Sequence, residues 1–127
     1  MATTLDGIAV VRSFCEAWAK RDVPAIMAAF ADDAVYHNMP LDPVRGKDAI
    51  EATINGFMGP AKSVEFRVLN IAASGNVVLT ERIDVFDMGD RKIELPVMGT
   101  FELDASGKIV AWRDYFDLGA WTKQTGS

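Results

Sequence analysis

The sequence carries one cysteine and one histidine in 127 residues. A lone Cys15 cannot close an intramolecular disulfide, and a lone His37 without clustered cysteines leaves no ligand set of the zinc type. There is no acidic loop of the EF-hand kind either, so neither a metal nor another cofactor is expected. No run approaches the ~20 consecutive apolar residues that cross a bilayer. The opening Met1-Ala2-Thr3-Thr4-Leu5-Asp6-Gly7 also lacks a basic stretch followed by a long apolar one. The expectation is a cytoplasmic protein without membrane contact. Lysine and arginine never cluster, and 18 acidic against 13 basic residues give a formal charge of -5. Such a surface repels phosphate chains, which argues against nucleic acid as a partner. With no repeat, linker or low-complexity tract, and half its residues hydrophobic, the chain reads as one domain over residues 1–127.

The N-terminal half has helical spacing. Leu5, Ile8, Val11, Phe14, Cys15 and Trp18 recur every three or four residues, which predicts an amphipathic helix, with Thr3 and Asp6 spaced as its cap. Pro24 suits the first turn of a second helix running to Phe30. Ala34 to Met39 reads as a short extended piece, and Pro40 and Pro43 exclude regular structure through Val44. A third helix is expected from Asp48 to Met58, closed by Gly59-Pro60.

The second half changes period. Four strand-like runs follow, at Val64 to Ile71, Asn76 to Phe86, Lys92 to Leu103 and Lys108 to Leu118, joined by hairpin-length turns. Pro96 in the third run points to an edge position or a bulge. Helices first and an antiparallel meander after predict an α+β domain. If the sheet curls with the helices on its concave side, it encloses a pocket.

One strand is unusual. Val77 to Phe86 is apolar at its ends yet holds Arg82 and Asp84 in the middle, and alternation puts Val78, Thr80, Arg82, Asp84 and Phe86 on one face. Charges set among apolar residues either reach water or meet partners in a pocket, since an unpaired buried charge is costly. Asp114, inside the equally apolar last strand, is the partner expected for Arg82. Trp112, Phe116 and Leu118 share the face of Asp114, and with Val78 they are the residues expected to meet a substrate. Taken singly, Arg82 and Asp84 read as an ordinary ion pair and Tyr36 and Asn38 as partners of nearby backbone. His37 alternates to the opposite face from Tyr36 and Asn38, and Cys15 lies on an apolar helix stripe. His37 is therefore expected to be structural or exposed, and Cys15 a small core residue rather than a nucleophile. Val77, Leu79, Ile83 and Val85 form an apolar row on the outer face, which predicts a homodimer.

Three segments occur together and in order: Val35-Tyr36-His37-Asn38-Met39-Pro40-Leu41, Thr80-Glu81-Arg82-Ile83-Asp84-Val85 and Trp112-Arg113-Asp114-Tyr115-Phe116-Asp117. This combination resembles the limonene-1,2-epoxide hydrolases, of the SnoaL-like, NTF2-like group. The resemblance implies a curved, mostly antiparallel mixed sheet and three N-terminal helices forming a cone around a deep pocket. It also implies a cofactor-independent enzyme that adds water to a small apolar epoxide, giving a vicinal diol. In that scheme Tyr36 and Asn38 position the water, Asp114 is the base, Asp84 the acid, and Arg82 sits between the two aspartates. The residue types agree with this chemistry, because opening an epoxide with water needs a base for the water and an acid for the departing oxygen. Two readings stand beside it: an isomerase or cyclase of the same cone fold, and a non-catalytic domain binding a small molecule or a protein.

Overall fold

A computed structural model of the chain describes residues 6–126. The elements run α1 (Gly7–Ala19), α2 (Val23–Ala28), β1 (Phe30–Asn38), β2 (Val44–Arg45), α3 (Lys47–Met58), β3 (Ser63–Ser74), β4 (Val77–Asp87), β5 (Lys92–Leu103), β6 (Ile109–Tyr115) and α4 (Leu118–Thr125). The strands form one six-stranded sheet in the order β2-β1-β6-β5-β4-β3. β1 runs parallel to β6, and every other pairing is antiparallel. Helix α1 lies against β3 and β4, and α3 against β1 and β2, so the concave face is covered by helices. None of these helices is long and apolar enough to cross a membrane.

Hydrophobic periodicity explains the cover. Val11, Phe14, Cys15 and Trp18 of α1 and Ile50, Ile54 and Met58 of α3 are buried, and each set follows the three- and four-residue spacing of one helix face. Their partners are the inward residues of the long strands. At the centre Trp112 stacks on Phe101 at 5.4 Å and on Tyr36 at 4.2 Å, with Phe14 edge-on at 5.0 Å. Such offset and edge-on pairs add stabilisation beyond the area they bury.

Several boundaries differ from the sequence expectation. Thr3 and Leu5 lie outside the described residues, and the cap of α1 is Asp6, whose carboxylate accepts from the Ala9 N–H at 3.0 Å. The second helix ends at Ala28, because Phe30 already pairs with Ile109 and opens β1. A register shift between Phe30 and Val35 absorbs the exposed Asp32 and Asp33. Pro96 is not in a bulge: the β4–β5 register runs unbroken through it. Instead, β6 pairs with β5 only from Met98 on, so Pro96 lies where that side of the strand is open.

The largest correction is at the C-terminal end. β6 stops at Tyr115, and Leu118 starts α4, where Asp117 caps the helix by accepting from the Gly119 N–H at 2.8 Å. Alternating Phe116 and Leu118 imitate a longer strand, and Gly119 obscures the helix pattern. Of the outer apolar row, Leu79 is exposed, Val77 and Ile83 are half-buried, and Val85 is buried.

Candidate active site

The site is made by registers. On β4, Thr80, Arg82 and Asp84 point to the concave face, two residues apart. On β6 the same face holds Trp112 and Asp114, and the parallel pairing sets Tyr36 beside Trp112 and Asn38 beside Asp114. β5 lies between β4 and β6, and there Gly99 is opposite Thr80 on one side and Asp114 on the other. With no side chain at Gly99, the face has a gap between the two charged strands.

Arg82 fills that gap. Its Nε and Nη2 donate to the two oxygens of Asp84 at 2.9 and 2.8 Å, and Nη1 and Nη2 donate to those of Asp114 at 3.2 and 2.8 Å. The fifth N–H goes from Nη1 to Thr80 Oγ1 at 3.0 Å, and the Thr80 hydroxyl donates onward to the Gly99 carbonyl at 3.3 Å. All five guanidinium donors are therefore used. The guanidinium also lies 4.7 Å from the centre of the Phe66 ring, a favourable cation–π position. Arg82 has no exposed surface, and the two aspartates have almost none.

One arginine facing two buried carboxylates leaves an excess negative charge unless a proton is held. Burial pushes the Asp84 carboxyl up to about 6, with Arg82 opposing and Asp114 adding to the rise. Burial would lower Arg82, but the Asp114 and Asp84 carboxylates outweigh it and keep the guanidinium firmly charged. Burial, followed by the charge of Asp114, pushes Tyr36 well above its ordinary value, so it remains a hydroxyl. It donates to Asn38 Oδ1 at 3.3 Å.

A cavity of about 40 Å³, measured as the space open to the centre of a water-sized sphere, adjoins this cluster. Its polar lining consists of Tyr36, Asn38, Asp84 and Asp114, and the rest is apolar. Trp18, Phe57, Phe66, Phe86 and Trp121 supply aromatic walls, and Leu41, Leu95 and Val97 complete them. Of the four residues expected to meet a substrate, Phe116 and Leu118 line the cavity. Trp112 and Val78 do not. Trp112 is fully buried beside Tyr36, and Val78 is buried where α1 crosses, its Cγ2 2.9 Å from the place a Cβ on Gly7 would occupy. Both share the correct strand face but lie beyond the reach of a ligand.

His37 is half-buried, with Nε2 2.9 Å from the Leu41 carbonyl oxygen, and it is not part of the cavity wall. Cys15 is buried, and desolvation pushes its thiol up to about 12, too high for a thiolate nucleophile. Among the described residues no three His, Cys, Asp or Glu side chains are grouped to hold a metal ion. The sequence pattern gives no site role to Gly99, Thr80 or the aromatic residues of α1, α3 and β3. Gly99 is the one with a readable signal, a glycine in the middle of an otherwise β-rich run.

The family model for the limonene-1,2-epoxide hydrolase catalytic domain matches residues 5–126. The chain belongs to this family. Within it, the chain is similar to the epoxide hydrolase EphG of Mycobacterium tuberculosis, with 35% identity over 108 residues, covering 85% of this chain and 71% of that one. The solved structure of an M. tuberculosis LEH-like epoxide hydrolase superposes with a TM-score of 0.82 at 34% identity, over 93% of this chain and 87% of the other. A SnoaL-like polyketide cyclase fold from Shewanella denitrificans matches equally well in shape, with a TM-score of 0.83 over 94% and 96% of the two chains. At 14% identity that likeness shows the shared cone fold alone.

Proposed function

We propose that the protein is a cofactor-independent epoxide hydrolase that opens a small apolar epoxide, of the size and polarity of limonene-1,2-epoxide, to a vicinal diol in one step. The observation that carries this is Arg82 shared between Asp84 and Asp114, both lining an otherwise apolar cavity beside Tyr36 and Asn38. Water lies against Asp114 and Asn38, whose amide is held by the Tyr36 hydroxyl. Asp114 takes a proton from the water as its oxygen forms a bond to an epoxide carbon. The opposite C–O bond breaks, and Asp84 gives its proton to the departing oxygen. Asp114 then holds the proton that Asp84 has lost, and its return to Asp84 restores the starting state. Holding water and epoxide in place removes much of the entropy cost of bringing them together.

An isomerase of the same fold needs one base and a donor for an oxyanion, which leaves a second aspartate on the same arginine without a role. Epoxides with apolar rings suit the walls, because apart from Tyr36, Asn38, Asp84 and Asp114 the lining residues are aliphatic or aromatic. Incubation with limonene oxide, cyclohexene oxide and styrene oxide, followed by assay for diol, tests the reading. Diol from at least one is expected, and none from any would refute it.

The working unit is proposed to be a homodimer. Leu79, Met98 and Tyr115 are exposed at 43%, 51% and 45% on the outer face of the sheet, where Met98 pairs with Tyr115 across β5 and β6. Apolar surface of this kind is commonly covered by a second copy. Sedimentation at micromolar concentration is expected to give a dimer, and a Met98→Lys variant a monomer. A wild-type monomer would contradict the proposal.

A further inference from the structure

Arg82 treats the two aspartates alike. It gives two hydrogen bonds to each, at 2.9 and 2.8 Å to Asp84 and at 3.2 and 2.8 Å to Asp114. The arginine therefore does not decide which carboxyl keeps the shared proton and which acts as base. A third donor breaks the symmetry. Trp112 Nε1 lies 2.7 Å from Asp114 Oδ1, and among the described residues Asp84 receives no counterpart.

An indole N–H donates and cannot accept, so it favours a charged oxygen over a protonated one. Its direction is fixed, because the Trp112 ring is held between Tyr36 and Phe101, with interplanar angles of 10° and 17°. Among the described residues, no side chain other than Arg82 and Trp112 donates a hydrogen bond to the Asp114 carboxylate. From β4 come Arg82 and Asp84, from β1 the uncharged Tyr36 hydroxyl and Asn38 amide, from α1 the Cys15 thiol, and β5 presents only Gly99.

We propose that Trp112 is the positioning residue that makes Asp114 the base and Asp84 the acid, by steering the shared proton away from the carboxylate to which it donates. The proposal rests on the epoxide-opening reading for its consequence in catalysis, though not for its consequence in protonation. Trp112 does not line the cavity, so its effect passes through Asp114 and not through substrate contact.

Trp112→Phe keeps a ring between Tyr36 and Phe101 but removes the N–H. With cyclohexene oxide as the probe, kcat is expected to fall ~10- to 100-fold while KM changes less than about twofold, since an interaction made to the base and not to substrate is lost. The acidic limb of the kcat/KM profile is expected to move up by about one pH unit, the effect of removing one hydrogen bond to a charged group. Lower activity with both limbs unmoved would mean that Trp112 only packs, and would overturn the proposal. A second measurement needs neither the variant's fold nor turnover: the indole ¹⁵N–¹H resonance of Trp112 in the wild-type protein, assigned by loss of the other signals in Trp18→Phe and Trp121→Phe. It is expected to shift with pH as Asp84, bridged to Asp114 through Arg82, gains its proton near pH 6, and a resonance that stays constant from pH 4 to 8 would overturn the proposal. If the wild-type protein opens no epoxide, the hydrolase reading fails, while the indole titration still decides the role of Trp112.

Discussion

A Cβ on Gly99 would collide with Nη1 of Arg82, and would come within 2.6 Å of Asp114 Oδ1 and 2.9 Å of Thr80 Oγ1. The arginine thus crosses from β4 to β6 through space that a glycine on β5 leaves open. Glycine in a strand interior costs stability through backbone entropy, and here that cost is offset by an ion cluster that no other residue would admit.

Gly99→Ala is therefore expected to be severe for its size. Overpacking at a rigid, fully bonded guanidinium is expected to cost ~1–3 kcal/mol in denaturant unfolding. Diol formation is expected to fall at least ~10²-fold, because the aspartates proposed as base and acid both move with Arg82. A Gly99→Ala enzyme with wild-type turnover would show that the seat is not needed.

The raised Asp84 has a consequence for stability. Its carboxyl goes from an ordinary 3.8 to about 6 on folding, so the native state holds a proton that the unfolded chain releases. That contribution is complete below about pH 4 and is lost as pH rises through 6. Asp84→Asn has no such group. Between pH 4 and pH 7.5 the stability difference between wild type and Asp84→Asn is expected to shift in the variant's favour by on the order of 2–3 kcal/mol. Urea titrations at the two pH values check this, and a constant difference would contradict it. Diol formation by the same variant is expected to fall ~10²- to 10⁴-fold, since the proposed acid is gone.

Helix α4 is a lightly held rim. It has no fully buried residue, yet its Leu118 and Trp121 line the cavity. Its main tie is Gln124, whose amide oxygen accepts from the Glu94 N–H at 2.8 Å and whose Nε2 donates to the Glu94 carbonyl at 2.9 Å, completing the open edge of β5 as a strand would. Arg91 adds bonds to the carbonyls of Gln124 and Thr125. Removing two net hydrogen bonds of ~1 kcal/mol each is expected to speed amide exchange across residues 118–125 at least ~10-fold in Gln124→Ala. KM should rise more than kcat falls. Unchanged exchange would mean that Trp121, packed against Phe57 and Phe86, holds the rim alone.

Much of the fold was legible because its signals are periodic. Lys92–Leu103 matches the predicted third run to the residue, and alternation along β4 gave the concave placement of Arg82 and Asp84. Two kinds of information were not local. Whether Phe30 ends a helix or begins a strand is settled by Ile109, far along the chain. Whether Trp112 touches a ligand or supports Asp114 depends on depth, which alternation does not encode: a strand face extends from the cavity wall into the core, and Val78 and Asp84 lie on the same one. The three segments together named Tyr36, Asn38, Arg82, Asp84 and Asp114, which the sheet registers bring close to one another. The aromatic walls were not legible: Trp18 and Phe57 lie on helix stripes whose spacing reads only as core, and Trp121 belongs to a helix that the sequence pattern does not announce.

The central claim is that Asp114 activates water and does not itself attack carbon. A single turnover of excess enzyme with limonene oxide in heavy-oxygen water tests it most directly. Direct attack by water is expected to place the label in the diol in that first turnover, with none in any aspartate of the recovered protein. Unlabelled diol from the first turnover, with label then appearing in an Asp114 carboxylate, would mean a covalent ester and would contradict the account.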